Sequence, residues 1–206
     1  MRQAEQTPKQ LDTNDTSVNP DSHPGWYSRG YLPHVDHANL VQMITFRLAD
    51  AMPAERRAEW QQILRIEEGA KRRTVIEAYL DAGYGACHLR DPRISRVVED
   101  ALRHFDGERY RLLAWVVMPN HVHVLIDAFA GHPIRQTVHS WKSFTATQAN
   151  RILERTGPFW QPDYFDRYIR DNQHLEQARW YIHQNPVKAG LVQSVEDWPY
   201  SSARWA

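Results

Sequence analysis

Tyr110-Arg-Leu-Leu-Ala-Trp-Val-Val-Met-Pro-Asn-His-Val-His-Val-Leu-Ile-Asp-Ala128 holds two apolar stretches on either side of Pro119-Asn120. Both are rich in β-branched and aromatic residues, and a Pro-Asn pair between such runs is turn chemistry. The segment therefore predicts two adjacent strands. Side chains alternate faces along a strand. In the second strand His121 and His123 point one way, while Val122 and Val124 point the other way, into a core.

Working outward, Leu40-Val-Gln-Met-Ile-Thr-Phe-Arg47 also has strand composition, with Val41, Met43, Thr45 and Arg47 sharing one face. Pro53 opens a helical pattern that reaches about Glu68. Gly69 breaks it, and a second helix runs to about Ala82, ended by Gly83 and Gly85. Asp91-Pro92 reads as an N-cap followed by the first helical position. After it Ile94, Val97, Val98, Ala101, Leu102 and Phe105 recur at helical spacing. Ile134, Val138, Trp141, Thr145 and Ile152 give the stripe of a further helix. An irregular or strand segment follows near Phe159. A last helix starts near Asp171 and is expected to end near Pro186, because proline disfavours helical geometry in the residue before it. This order predicts an α+β fold: a ferredoxin-like antiparallel sheet with helices on one face and extra helices inserted after the first strand.

The chain has 206 residues, 42% of them hydrophobic, enough for one compact domain, expected over residues 25–206. Residues 1–24 are polar and nearly free of large apolar side chains, and read as a disordered tail. The formal net charge is zero, so any nucleic-acid surface is a local patch rather than a property of the whole chain. The single cysteine, Cys87, excludes a disulfide framework and fits a reducing cytoplasm. No apolar run approaches the ~20 residues of a membrane span, and there is no hydrophobic signal core.

Two imidazoles on one sheet face can chelate a single metal ion; they can equally be two unrelated surface histidines. The alternation also resembles the histidine-triad nucleotide hydrolases. Here the third alternate position is Leu125, which removes the nucleophile of that class. On the last helix Leu175, Ala178 and Ile182 form an apolar stripe. Tyr181 and Asn185, four residues apart, can share a face. An asparagine oxygen suits Mg²⁺ or Mn²⁺. If this helix crosses the sheet under His121 and His123, three neutral ligands surround one cation and leave positions open for phosphate oxygens. By periodicity alone, Tyr181 is a half-buried aromatic and Asn185 a residue near a helix end. Arg135, His139 and Lys142 fall at i, i+4, i+7 and could track a phosphate backbone or simply face solvent. Trp160, Tyr164, Phe165 and Tyr168, interleaved with Arg167 and Arg170, could stack on unpaired bases, although most such aromatics are core. Arg47 and Lys188 complete the candidate DNA contacts.

Val117-Met-Pro-Asn-His-Val-His-Val-Leu-Ile126, followed by Tyr181-Ile-His-Gln-Asn-Pro-Val-Lys-Ala-Gly190, closely resembles the REP-associated tyrosine transposases, a branch of the single-tyrosine, His-hydrophobic-His transposases. Thr45-Phe-Arg-Leu48, Lys142-Ser-Phe-Thr-Ala146, Phe159-Trp-Gln161, Tyr164-Phe-Asp166, Ile169-Arg-Asp171 and Glu196-Asp-Trp-Pro-Tyr-Ser-Ser202 match in the same order. The resemblance implies that His121 and His123 hold a divalent metal, Mg²⁺ or Mn²⁺, with Tyr181 as nucleophile. The third ligand of the wider group, often glutamine, falls at Asn185. The implied substrate is single-stranded or hairpin DNA from repeated extragenic palindromes in a bacterial nucleoid. Cleavage would give a 5′-phosphotyrosine and a free 3′-hydroxyl. Exchange of one phosphate ester for another needs no ATP, in keeping with the missing Walker-type loop. A catalytically idle DNA-binding regulator of the same fold is the alternative. His183 reads as structural or DNA-facing. The sequence leaves monomer and homodimer both open.

Overall fold

The computed structural model describes residues 25–28, 33–36, 39–66 and 69–205, so the polar tail expected over residues 1–24 lies outside the described residues. The expected hairpin is present. β4 (Tyr110–Val117) and β5 (His121–Ala128) pair antiparallel. Their turn is tied down: the Leu89 N–H donates to the Pro119 carbonyl (3.1 Å) and the Leu48 N–H to the Asn120 carbonyl (2.9 Å). β3 (Val41–Arg47) flanks β5, and β6 (Phe165–Tyr168) flanks β3, giving the antiparallel order β4-β5-β3-β6. β5 is therefore central. The segment near Phe159 stays irregular, with Trp160 making one isolated bridge to Leu48. The Ala49 N–H donates to the Phe159 carbonyl and the Gln161 N–H to the Arg47 carbonyl (both 2.9 Å), but Pro158 and Pro162 on either side cannot donate, so a continuous ladder begins only at Phe165.

The inserted helices are α1 (Arg57–Leu64), after a short 3₁₀ turn, and α2 (Gly69–Asp81). After α2 the chain turns back at Gly85, whose φ of +90° and approach to the Asp50 backbone leave no room for a Cβ. α3 (Pro92–Arg103) begins as expected: the Asp91 carboxylate accepts from the Arg93 N–H at 2.9 Å. α4 is Ile134–Ile152 and α5 is Asn172–Lys188. α5 runs past Pro186 rather than ending there. In the last turn proline removes only one backbone bond, and the helix closes through Gly190 (φ +67°), whose N–H donates to Val187.

The α+β antiparallel class holds, but the helices cover both faces rather than one. On one face Ile44, Phe46, Val122, Val124 and Ile126 pack against Ile94, Val98 and Leu102 of α3 and Val138 and Trp141 of α4. On the other, Met43, Val116 and Leu125 pack against Ala178 and Ile182 of α5. β4 is largely apolar on both sides and β5 on the side facing α3 and α4, and apolar surface left open there would forfeit about 25 cal/mol per Å². A buried relay ties the first layer together: the Trp141 indole N–H donates to the Tyr110 hydroxyl (3.0 Å), which donates to the Leu102 carbonyl (2.7 Å).

Both sheet edges are covered. Along β4, the Val117 N–H donates to the Tyr200 carbonyl (2.9 Å) and Val116 bridges Ser201. Beside β6 lies a hairpin of β1 (Gly25–Ser28) and β2 (Pro33–Asp36), a pair the sequence reading did not anticipate. Its buried His34 bonds Asp163 (3.2 Å) and Asp166, and Asp36 accepts from the Ile134 N–H (3.2 Å) where α4 starts. Among the described residues no helix is long and apolar enough to cross a membrane.

Candidate metal and tyrosine site

His121 and His123 stand side by side on the face of β5 that α5 crosses, both buried. Their Nε2 atoms lie 3.1 Å apart and their rings meet edge to face, 4.7 Å between centroids. Nitrogens 3.1 Å apart are near enough for both to hold one divalent cation. Each ring is oriented from behind. Asn120 donates its amide to the Tyr84 carbonyl (3.0 Å), which turns its oxygen to accept from His121 Nδ1 (2.7 Å). His121 Nε2 is thereby left as the lone pair. Thr45 sits 2.7 Å from His123 Nδ1, and its hydroxyl can donate or accept there, so His123 Nε2 can be freed as well. Burial, with the charge of Arg47 and the neighbouring ring added for His121, keeps His121 well below its ordinary pKa. Burial alone brings His123 down to about 3. Both imidazoles are thus neutral, the state that binds a metal.

α5 supplies the other wall. Ala178, Ile182 and Asn185 are its buried residues here, and Tyr181 is half-buried one turn before Asn185. The Tyr181 ring meets the His123 ring edge to face at 5.4 Å. Neither the Asn185 amide nor the Tyr181 hydroxyl makes a well-formed hydrogen bond, although Asn185 is close enough to perturb both His121 and Tyr181. A fully buried amide without a partner costs about 1–3 kcal/mol, and a ligand at the histidine pair would recover that. Among the described residues no three His, Cys, Asp or Glu side chains stand at metal-binding separation. A cation here would draw on Asn185 beside the two histidines. That set fits a hard divalent ion with open positions.

Tyr181 is pushed well above the ordinary phenol pKa, first by burial and then by the nearby Glu77 and Asp81 carboxylates. These two acids, four apart on α2, were not singled out in the sequence. The Asp81 Oδ1 lies 4.0 Å from His121 Nε2, and burial raises its carboxyl to about 6, tempered by Lys188. The Lys188 ammonium hangs over the Tyr181 ring at 4.8 Å. Asn120 and Thr45 were likewise missed as orienting groups. Asn120 could have been found as the neighbour of His121, and Thr45 from its place on the shared face of its strand. Nothing in the spacing of Glu77 and Asp81 ties α2 to the sheet.

The remaining candidates divide. Arg47 and Lys188 flank the site: Arg47 stands opposite His121 in the ladder. Arg135, His139 and Lys142 ride on α4, behind the other face of the sheet. The Lys142 ammonium donates to the carbonyls of Gln161 (2.6 Å) and Pro162 (2.7 Å). Arg167 bonds His174, and Arg170 is exposed at the start of α5. Trp160 and Tyr164 are core, Phe165 is half-buried and Tyr168 is exposed. His183 bonds the Ser202 hydroxyl (2.9 Å), a structural link to the C-terminal segment. Leu125, at the third alternate position, is buried under α5, so no third imidazole joins the pair.

Residues 89–185 match the family model described as transposase IS200 like. The chain is 32% identical over 106 residues to a Haemophilus influenzae protein assigned provisionally as a REP-associated tyrosine transposase, covering 45% of this chain and 58% of that one. It is 31% identical over 97 residues to the REP-associated tyrosine transposase of Escherichia coli, covering 45% and 54%. The chain thus spans little more than half the length of these relatives. A solved REP-associated tyrosine transposase bound to a REP hairpin shares the fold, with a TM-score of 0.52 at 19% identity over 87% of this chain and 82% of that one.

Proposed function

Because residues 89–185 match the family model described as transposase IS200 like, we propose that the protein cuts and rejoins single-stranded DNA at palindromic hairpins of the REP kind, with Tyr181 as nucleophile. The observation that carries this reading is the convergence of the two Nε2 atoms, 3.1 Å apart, beneath the Tyr181 ring. The Tyr181 oxygen would attack a backbone phosphorus. A bond forms between phenol oxygen and phosphorus, the bond to the 3′ oxygen breaks, and that oxygen leaves as a hydroxyl. The same steps in reverse join the 5′ end to another 3′-hydroxyl, so phosphoester energy is conserved.

His121, His123 and Asn185 would hold a Mg²⁺ or Mn²⁺ ion. When bound, such an ion offsets phosphate charge and favours in-line geometry. The protein's own groups do the rest. Asn120 and Thr45 fix the imidazoles, α5 positions the phenol, and Lys188 brings positive charge to its ring. Burial first, and then the negative charge of Glu77 and Asp81, opposes a phenolate and holds Tyr181 protonated until a phosphate arrives.

The test is incubation of a labelled single-stranded REP hairpin with Mn²⁺, followed by a denaturing gel. A protein-linked product is expected with the native chain. It should disappear in Tyr181→Phe, which keeps the ring and hairpin affinity, and in excess chelator. An equal yield of adduct from the Phe variant would remove Tyr181 from the role. Hairpin binding without cutting under any metal would favour the regulator instead.

A further inference from the structure

A cavity of about 420 Å³ opens beside the site, between α1 and the segment leading into β6. Its walls are unlike one another. The Trp60 and Phe165 rings, 6.2 Å apart and edge to face, form an apolar side. Gln61, Gln161 and the Asp163 carboxylate are the polar side. Between them lies the Arg47 guanidinium, 4.2 Å from the Trp60 centroid and 5.3 Å from that of Phe165. Its Nε makes no hydrogen bond. Burial brings its pKa down to about 10, although Asp163 opposes the shift, so it remains a cation at neutral pH. A mostly buried cation with an unpaired N–H is costly unless something arrives to accept from it.

The shape and the groups select an occupant. A flat ring is favoured by the aromatic wall. The planar guanidinium fork calls for two acceptors on one edge. Asp163, already engaged by His34, brings negative charge that repels a bare phosphate. Guanine meets these conditions: it is a flat, uncharged ring whose O6 and N7 both accept on one edge. Adenine presents an amino donor where O6 would be. Arg47 is the ladder partner of His121, so the cavity adjoins the place where a strand would lie. We propose that this cavity takes one guanine turned out of single-stranded DNA, read by Arg47 on its O6/N7 edge. The proposal rests on the strand-cleaving reading and adds a base preference to it.

The probe is a labelled oligothymidylate of about a dozen nucleotides carrying one central dG, dA, dC or 7-deaza-dG, followed by fluorescence anisotropy. The native protein should bind the dG strand roughly 5- to 150-fold tighter than the dA strand, the range expected of one bidentate base contact. Replacing N7 by carbon should abolish most of that preference without altering the protein at all. Arg47→Met should abolish it too, with a thermal melt to confirm folding. Equal affinity for the dG, dA and 7-deaza-dG strands, from protein that still forms the DNA adduct, overturns the pocket and leaves the transferase reading standing. Preference for dC, or a dG preference that survives Arg47→Met, overturns guanine readout by Arg47. Failure to bind any of the strands, with no adduct formed, overturns both readings.

Discussion

At the residue scale, the candidate site is a set of neutral groups held in place by others behind them. Thr45 is the sharpest case. Its hydroxyl is the partner of His123 Nδ1, and a ring that loses that partner can rotate or adopt the other tautomer. Thr45→Val keeps the strand and the shape. We expect Mn²⁺ affinity, read by isothermal titration, to fall roughly 10- to 100-fold, while the melting temperature without metal changes little. Unchanged affinity would mean that packing alone orients His123. The histidine pair and the tyrosine–asparagine pair could each be read from the sequence because their spacing is local: two along a strand, four along a helix. Their meeting could not. It depends on α5 crossing β5, and on Glu77 and Asp81 being brought in by a helix far away in the chain. No periodicity encodes such contacts.

At the element scale, α3, α4 and β4 are joined by more than apolar contact. Tyr110 is buried, burial lifting its pKa to about 12, and its hydroxyl links the Trp141 indole to the Leu102 carbonyl. Tyr110→Phe preserves the ring but strands a buried donor and a buried acceptor. The expected loss is roughly 1–3 kcal/mol in urea unfolding, with the slope unchanged; a loss under about 0.5 kcal/mol would show that water replaces the hydroxyl. Most elements could be read from the sequence where caps and periodicity agreed, as at Asp91-Pro92. The last helix, expected to end near Pro186, carries that proline inside it and runs to Lys188. A proline in the final turn costs a single bond, and Gly190 supplies the real ending. Of the two alternatives for the segment near Phe159, irregular or strand, the irregular one holds, with a single bridge at Trp160 before the strand that begins at Phe165.

At the scale of the whole molecule, the β1–β2 hairpin was invisible to sequence reasoning, since Gly25-Trp-Tyr-Ser28 and Pro33-His-Val-Asp36 are too short to show alternation. It is fastened electrostatically. Burial opposes charge on His34, but bonds to Asp163 and Asp166 outweigh it and raise the imidazole to about 9. A histidine raised in this way stabilises the fold fully below about pH 6.5 and loses that contribution as pH climbs through 9. The stability margin of the native chain over His34→Gln should therefore be full near pH 6 and gone by about pH 10, measured by thermal melts across that range. A margin that grows with pH would place the charge elsewhere. The same hairpin has a further consequence. β6 is a four-residue strand, and among the described residues it is the outermost strand of its sheet, beyond β3. Bare edges of this kind recruit strands from neighbouring molecules. A chain started at residue 39 should keep the histidine pair and still self-associate at micromolar concentrations in a sedimentation experiment, through edge-to-edge pairing. A truncated chain that stays monomeric would show that α1 and the loop before β6 shield the edge unaided. The opening hairpin then matters as much for keeping copies of the protein apart in solution as for holding any one of them together.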